Sequence, residues 1–150
     1  MGVQIYYELV GTGWARCKIC VDDTCATVTA SYLSDALDDL ASAIAAALRG
    51  HPRATASFTE EPGEYRWIFE PLPDGMVSVR ILEFNEMWGD RPDDEGQLVF
   101  SAQCRLRTLA GALLSELQRL ERTYGTVGYR EKWVEYDFPS TRLNELKELL

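Results

Sequence analysis

Apolar and polar residues alternate with a period of two along the opening stretch, the pattern of strands with one face on a core. Val3, Ile5, Tyr7 and Leu9 interleave with Gln4, Tyr6 and Glu8. Gly11-Thr12-Gly13 turns the chain, and residues 14–21 and 24–31 read as a hairpin about Asp22-Asp23. In that register Ala15, Cys17, Ile19 and Val21 share a core side with Thr24, Ala26, Val28 and Ala30, while Arg16, Lys18, Thr27 and Thr29 face away. The period then lengthens. Leu33, Leu37, Leu40, Ile44 and Leu48 recur at helical spacing, with Ser34 as N-cap, Asp35, Asp38 and Asp39 at the positive end of the dipole, and Gly50 and Pro52 closing the helix.

A second block of alternation starts near Ala54. Residues 65–72 and 76–84 flank the turn Pro73-Asp74-Gly75, which pairs Trp67 with Ile81 and Phe69 with Val79. Arg66, Glu70 and Arg80 fall on the opposite face. Residues 86–96 form a polar loop, and residues 97–104 a strand with Leu98, Phe100, Ala102 and Cys104 inward. A long helix over residues 106–124 carries the stripe Leu106, Leu109, Leu113, Leu117 and Leu120, and Gly125 ends it. The tail adds a strand over 132–138 and a short helix with Leu143, Leu146 and Leu150 apolar. The expected fold is a single α+β domain over residues 1–150: an antiparallel sheet with two long amphipathic helices on one face and a short C-terminal helix. Leu33, Leu40 and Ile44 map onto Leu106, Leu113 and Leu117 at constant offset, which suggests a diverged βββα duplication.

A chain of 150 residues, 46% hydrophobic and 26% charged, can bury a core without metals or disulfides. Its net charge of −9 repels phosphate backbones and anionic membrane surfaces. It suits a basic protein partner, and it also serves solubility. The N-terminus lacks a signal-peptide pattern and the most apolar stretch is too short to span a bilayer, so the cytoplasm is the expected location. The excess of Arg over Lys points to a GC-rich bacterial gene.

Familiar chemistry is sparse. Cys17, Cys20 and Cys25 invite a zinc reading, but positions three apart in a strand face opposite sides, so no tetrahedral set converges and no cofactor is expected. Cys20 and Cys25 stand opposite each other in the hairpin and could be bridged outside a reducing compartment. His51, the sole histidine, follows a helix end and has no evident nucleophile beside it. The Gly11-Thr12-Gly13 turn leads into a strand and so makes no phosphate site. Asp90, Asp93, Asp94 and Glu95 fail calcium-loop spacing, because Pro92 and Ser101 stand where ligands belong.

The segment Glu61-Pro62-Gly63-Glu64-Tyr65-Arg66-Trp67-Ile68-Phe69, with the tail from Gly128-Tyr129 to Pro139, resembles small uncharacterised bacterial proteins, some of them immunity proteins found beside secreted toxins. The resemblance implies a non-enzymatic binding protein and carries no functional residue across. A carboxylate-based hydrolase and an oligomeric accessory domain are the alternatives. The expected contact surface is the 86–96 loop, longer than the usual connection of about 4–6 residues. There Trp88 either tucks back over the sheet and staples the loop or anchors a basic partner, which Asp90, Asp93 and Asp94, with Glu60, Glu61 and Glu64 nearby, would steer.

Overall fold

In the computed structural model, which describes every residue except Met1 and Trp88, the chain runs β1 (Val3–Val10), β2 (Trp14–Val21), β3 (Thr24–Ser31), α1 (Ala36–Leu48), β4 (Ala54–Thr59), β5 (Glu64–Pro71), β6 (Met76–Phe84), β7 (Gln97–Arg105), α2 (Leu106–Trp133) and α3 (Ser140–Leu149). The class is α+β with antiparallel pairing. Among the described residues the strands form two sheets, β1-β2-β3 and β4-β5-β6-β7, rather than one continuous sheet. Helix α1 interrupts the ladder after β3, and β4 begins a new one. The sheets meet at a hydroxyl contact, Ser31 Oγ to Thr59 Oγ1 at 3.2 Å.

The hairpin registers are those the alternation predicts. Cys17 lies opposite Val28 and Ile19 opposite Ala26, and in the second sheet Trp67 lies opposite Ile81 and Phe69 opposite Val79. These inward positions and the stripes of α1, α2 and α3 share one hydrophobic cluster, from Ile5 to Leu146. Helix α3 is tied to α1 by an Arg49–Glu145 ion pair and by Arg142 Nε donating to Asp38 Oδ1 at 3.3 Å.

Two sheet edges are closed by side chains. An open edge is a row of unpaired backbone groups that recruits other chains. On β4 the amide of Thr59 donates to Ser34 Oγ at 3.2 Å and that of Ser57 to Asp39 Oδ2 at 3.4 Å. On β1 the Tyr7 amide donates to Glu116 Oε2 at 2.5 Å, and Arg119 Nη2 donates to the Tyr7 carbonyl at 2.9 Å. The Glu116–Arg119 pair on α2 thus stands in for a neighbouring strand.

Four local expectations change. Ser34 does not cap α1: Asp35 holds the N-cap position without a side-chain cap bond, and Ser34 serves β4 instead. Gly125 does break α2 (φ 67°), but the helix resumes to Trp133, so residues 132–138 form no strand. Tyr129 and Trp133, four apart, are both wholly buried, and helical spacing is what delivers both to the core. Leu98 points outward, 54% exposed, because the register slips at Ile81/Leu82 and sets Phe100 opposite Ile81 but Leu98 opposite Leu82. One extra residue at such a bulge flips the side chains beyond it. Finally, the offset that pairs Leu40 with Leu113 and Ile44 with Leu117 joins fully buried positions, whereas Leu33 precedes α1 and Leu106 opens α2.

Candidate functional site

The outer face of the second sheet is not left to solvent. Ile68, Leu82 and Phe84 form a small second cluster there, and residues 93–96, the end of the loop after β6, fold against it. Gly96 comes so close that a Cβ on it would stand 2.8 Å from the Phe84 ring and 3.0 Å from Leu82 Cβ. The Arg66 guanidinium sits 4.5 Å over the Phe84 ring. From that position Arg66 Nη1 donates to Asp93 Oδ1 at 2.8 Å, Arg53 Nη2 donates to the same oxygen at 3.0 Å, and Arg80 lies 3.8 Å from the other. The hydrogen bond from Arg53, and then that from Arg66, hold the Asp93 carboxyl below its ordinary range. Asp93 is therefore the clamp that closes the loop onto the sheet.

The other expected contact residues separate into two groups. Glu64 is buried, 6% exposed, and accepts from Ser57 Oγ at 2.7 Å. Asp90, Asp94 and Glu61 are exposed and Glu60 is half-buried. The turn at residues 60–63 lies against the start of the loop, where the Met87 amide donates to the Pro62 carbonyl at 2.8 Å. Trp88 lies outside the described residues. The fold thus brings the 60–63 turn to the loop and spends Asp93 and Glu64 inside the molecule.

A second feature has no counterpart in the sequence reading. The end of α2, the 134–139 connection, the start of α3 and the start of α1 enclose a cleft of about 820 Å³. Asp35, Asp38, Glu131, Glu135 and Asp137 line it against a single lining cation, Arg130. Val127, 71% exposed, and Tyr136 supply apolar wall. At its α1 corner Asp35 Oδ1 is buried without a hydrogen-bond partner among the described residues. Desolvation, then the charges of Asp38 and Asp39, push the Asp35 carboxyl up to about 7. Behind it the hydroxyls of Tyr7 and Tyr129 are buried and equally unpartnered. Burial above all, with the Asp35 charge adding to it, raises the ionisation of both well above the ordinary phenol range. The sequence concealed this cleft because it depends on the helix resuming past Gly125. Its one legible sign was the cluster Asp35, Asp38 and Asp39 at a helix start.

Cys17 and Cys104 are buried in the core, and Cys20 and Cys25 are joined by a disulfide on the opposite face of the hairpin. Burial raises both free thiols, Cys104 to about 11, so neither is poised as a thiolate nucleophile. Among the described residues no group of three or more His, Cys, Asp or Glu gathers to hold a metal, and no helix is long and apolar enough to cross a membrane. His51 is exposed past the end of α1.

No family model matches the chain. No curated protein matches it either. A solved structure does. It is a chain of the "CdiA-CT/CdiI toxin and immunity complex from Enterobacter cloacae", superposable with a TM-score of 0.51 at 14% identity. The match covers 78% of this chain and 98% of that one. At that identity the likeness is one of fold.

Proposed function

We propose that this protein is an immunity-type inhibitor that binds a basic partner protein, a toxin domain, through its acidic surface. The observation that carries the reading is the fold likeness spanning nearly all of a chain from a toxin and immunity complex. The net charge of −9 supports it, since opposite charge accelerates encounter and suppresses wrong partners.

The contact face of this proposal is the 85–96 loop with the adjoining 60–63 turn. Asp90, Asp94, Glu60 and Glu61 steer the partner, and Trp88, on the same loop in the sequence, anchors it. Asp93 shapes the face from behind, because its arginine clamps fix the loop over the sheet. Glu64 does the same for the edge of the turn through Ser57.

The test is stopped-flow association with a toxin domain identified as partner by affinity capture from the native cell. Asp90→Asn with Asp94→Asn is expected to slow association several-fold at low salt and to leave it nearly unchanged at high salt, since exposed charges are screened there. Trp88→Ala is expected to leave stability intact and to abolish binding. Unchanged association in the double variant, or unfolding in Trp88→Ala, removes this face from the account.

A further inference from the structure

The edges of β1 and β4 are closed by side chains, whereas the edge of β7 is left open. β7 pairs with β6 on one side, and among the described residues no strand or loop backbone bonds to its other side. Proteins ordinarily guard such an edge with charge, with Pro or by keeping it short. β7 uses none of these. It is 9 residues long, and residues 97–104 hold no charged side chain and no Pro, in a chain whose net charge is −9. Leu98 and Val99 stand side by side at 54% and 36% exposure. A bulge can turn an edge away, but the slip at Ile81/Leu82 instead sets Leu98 opposite Leu82, so the apolar cluster of the outer face continues to the free edge. The other uncharged edge strand, β3, exposes Thr24, Cys25 and Thr27 and no large apolar side chain.

The two ends of β7 carry opposite charge. Asp94 and Glu95 precede it and Arg105 closes it. All three are exposed, and among the described residues none of them enters an ion pair. Glu95 and Arg105 stand roughly 30 Å apart in one chain, at about 3.3 Å per residue, too far to meet each other.

Independently of the immunity reading, we infer that β7 pairs antiparallel with β7 of a second copy of this chain, about a twofold axis near Ser101, and joins the two four-stranded sheets into one. The antiparallel sense lays the start of one strand beside the end of the other, so Asp94 and Glu95 of each copy meet Arg105 of the other. A parallel sense would lay acid on acid. Between the ends the contact is uncharged, so the two copies approach there without like-charge repulsion despite their net charge. Twofold pairing uses the same patch on both copies and closes at two. One strand edge buries less than the roughly 1,000 Å² of a stable interface, so the dimer is a weak one, with a dissociation constant in the tens of micromolar.

The test is sedimentation equilibrium of the full chain from about 5 to about 500 μM at low salt, a range that brackets that affinity. The mass is expected to rise from one chain to two and to stop there. Leu98→Lys, a charge on the edge, is expected to weaken the dimer at least about tenfold. Glu95→Arg is expected to weaken it several-fold by setting cation against cation, and Glu95→Arg combined with Arg105→Glu to restore it to within about twofold. Both positions are exposed, so circular dichroism is expected to be unchanged in every variant. If Leu98→Lys alone fails to fold, loss in the single charge variant and its recovery in the double one still carry the inference. A wild type that remains a single chain throughout, growth beyond two copies, or a dimer indifferent to both Leu98→Lys and Glu95→Arg would overturn it. A single-chain wild type whose binding to a captured toxin domain is lost in Leu98→Lys assigns the edge to the toxin and overturns the second copy as its occupant.

Discussion

Arg66 donates to Asp93 at 2.8 Å across the outer face of the second sheet, and this bond joins a strand residue to a loop that lies far along the chain. Asp93 stands in the sequence as one of a run of acids, Asp90, Asp93, Asp94 and Glu95, with nothing to distinguish it. In the fold it alone meets Arg53, Arg66 and Arg80.

Asp93→Asn is expected to cost about 1–2 kcal/mol, the range for charge-assisted hydrogen bonds reduced because Arg53 is partly solvated. Because the Asp93 carboxyl is depressed in the folded state, its stabilisation is present above the ordinary value of 3.8 and is lost as pH falls through the lower folded value. Urea unfolding of wild type and variant should therefore differ at pH 7 and converge at strongly acid pH. Equal midpoints at pH 7 would show that the clamp contributes nothing.

Glu116→Ala should destabilise the protein by about 3–4 kcal/mol, because it leaves the buried Tyr7 amide without an acceptor and frees Arg119. Glu116→Gln keeps an acceptor for the amide and should cost about half as much. The same unfolding curves read both, and equal losses would mean that the charge rather than the edge bond matters.

Trp67→Ala is expected to cost about 3–5 kcal/mol, since Trp67 is wholly buried beside Phe58 and Phe69. A loss below about 1 kcal/mol in thermal or chemical denaturation would contradict that packing.

Asp35→Asn should act in the opposite direction. The carboxyl is raised from 3.8 to about 7 on folding, so the folded state holds the proton more tightly than the unfolded one. Stability is then highest below the unfolded value and falls as pH rises through about 7. The variant removes that penalty and should gain about 1 kcal/mol at pH 8, discounted for partial solvation, and nothing at pH 3. Unfolding midpoints across pH check the slope, and a variant less stable than wild type at pH 8 would contradict it.

Elements governed by local periodicity were legible. The pairing of Ile19 with Ala26 and of Trp67 with Ile81 follows from alternation and turn position. What depends on non-local partners was not. Alternation counted back from Phe100 puts Leu98 inward, yet the bulge opposite Ile81/Leu82 turns that leucine outward, and the unbroken apolar run Leu98-Val99-Phe100 was its one local sign. Gly125 was read correctly as a break, but the resumption of the helix depends on a core waiting for Tyr129 and Trp133. The same blindness hid the cleft, which the start of α1 and the distant stretch 126–141 assemble. Glu116 left a faint sign: an acid three residues after Leu113 and beside Leu117 lies on the edge of an apolar stripe, and such a charge needs a partner there.

Co-expression with a toxin domain captured as its partner tests most directly the proposal that this chain neutralises a toxin by binding it. The account predicts that growth is restored and that the two proteins co-purify as a stoichiometric complex, with a dissociation constant below roughly 0.1 μM as for tight specific interfaces. Cell death at the same rate with and without this protein, together with separate elution of the two chains, would contradict it.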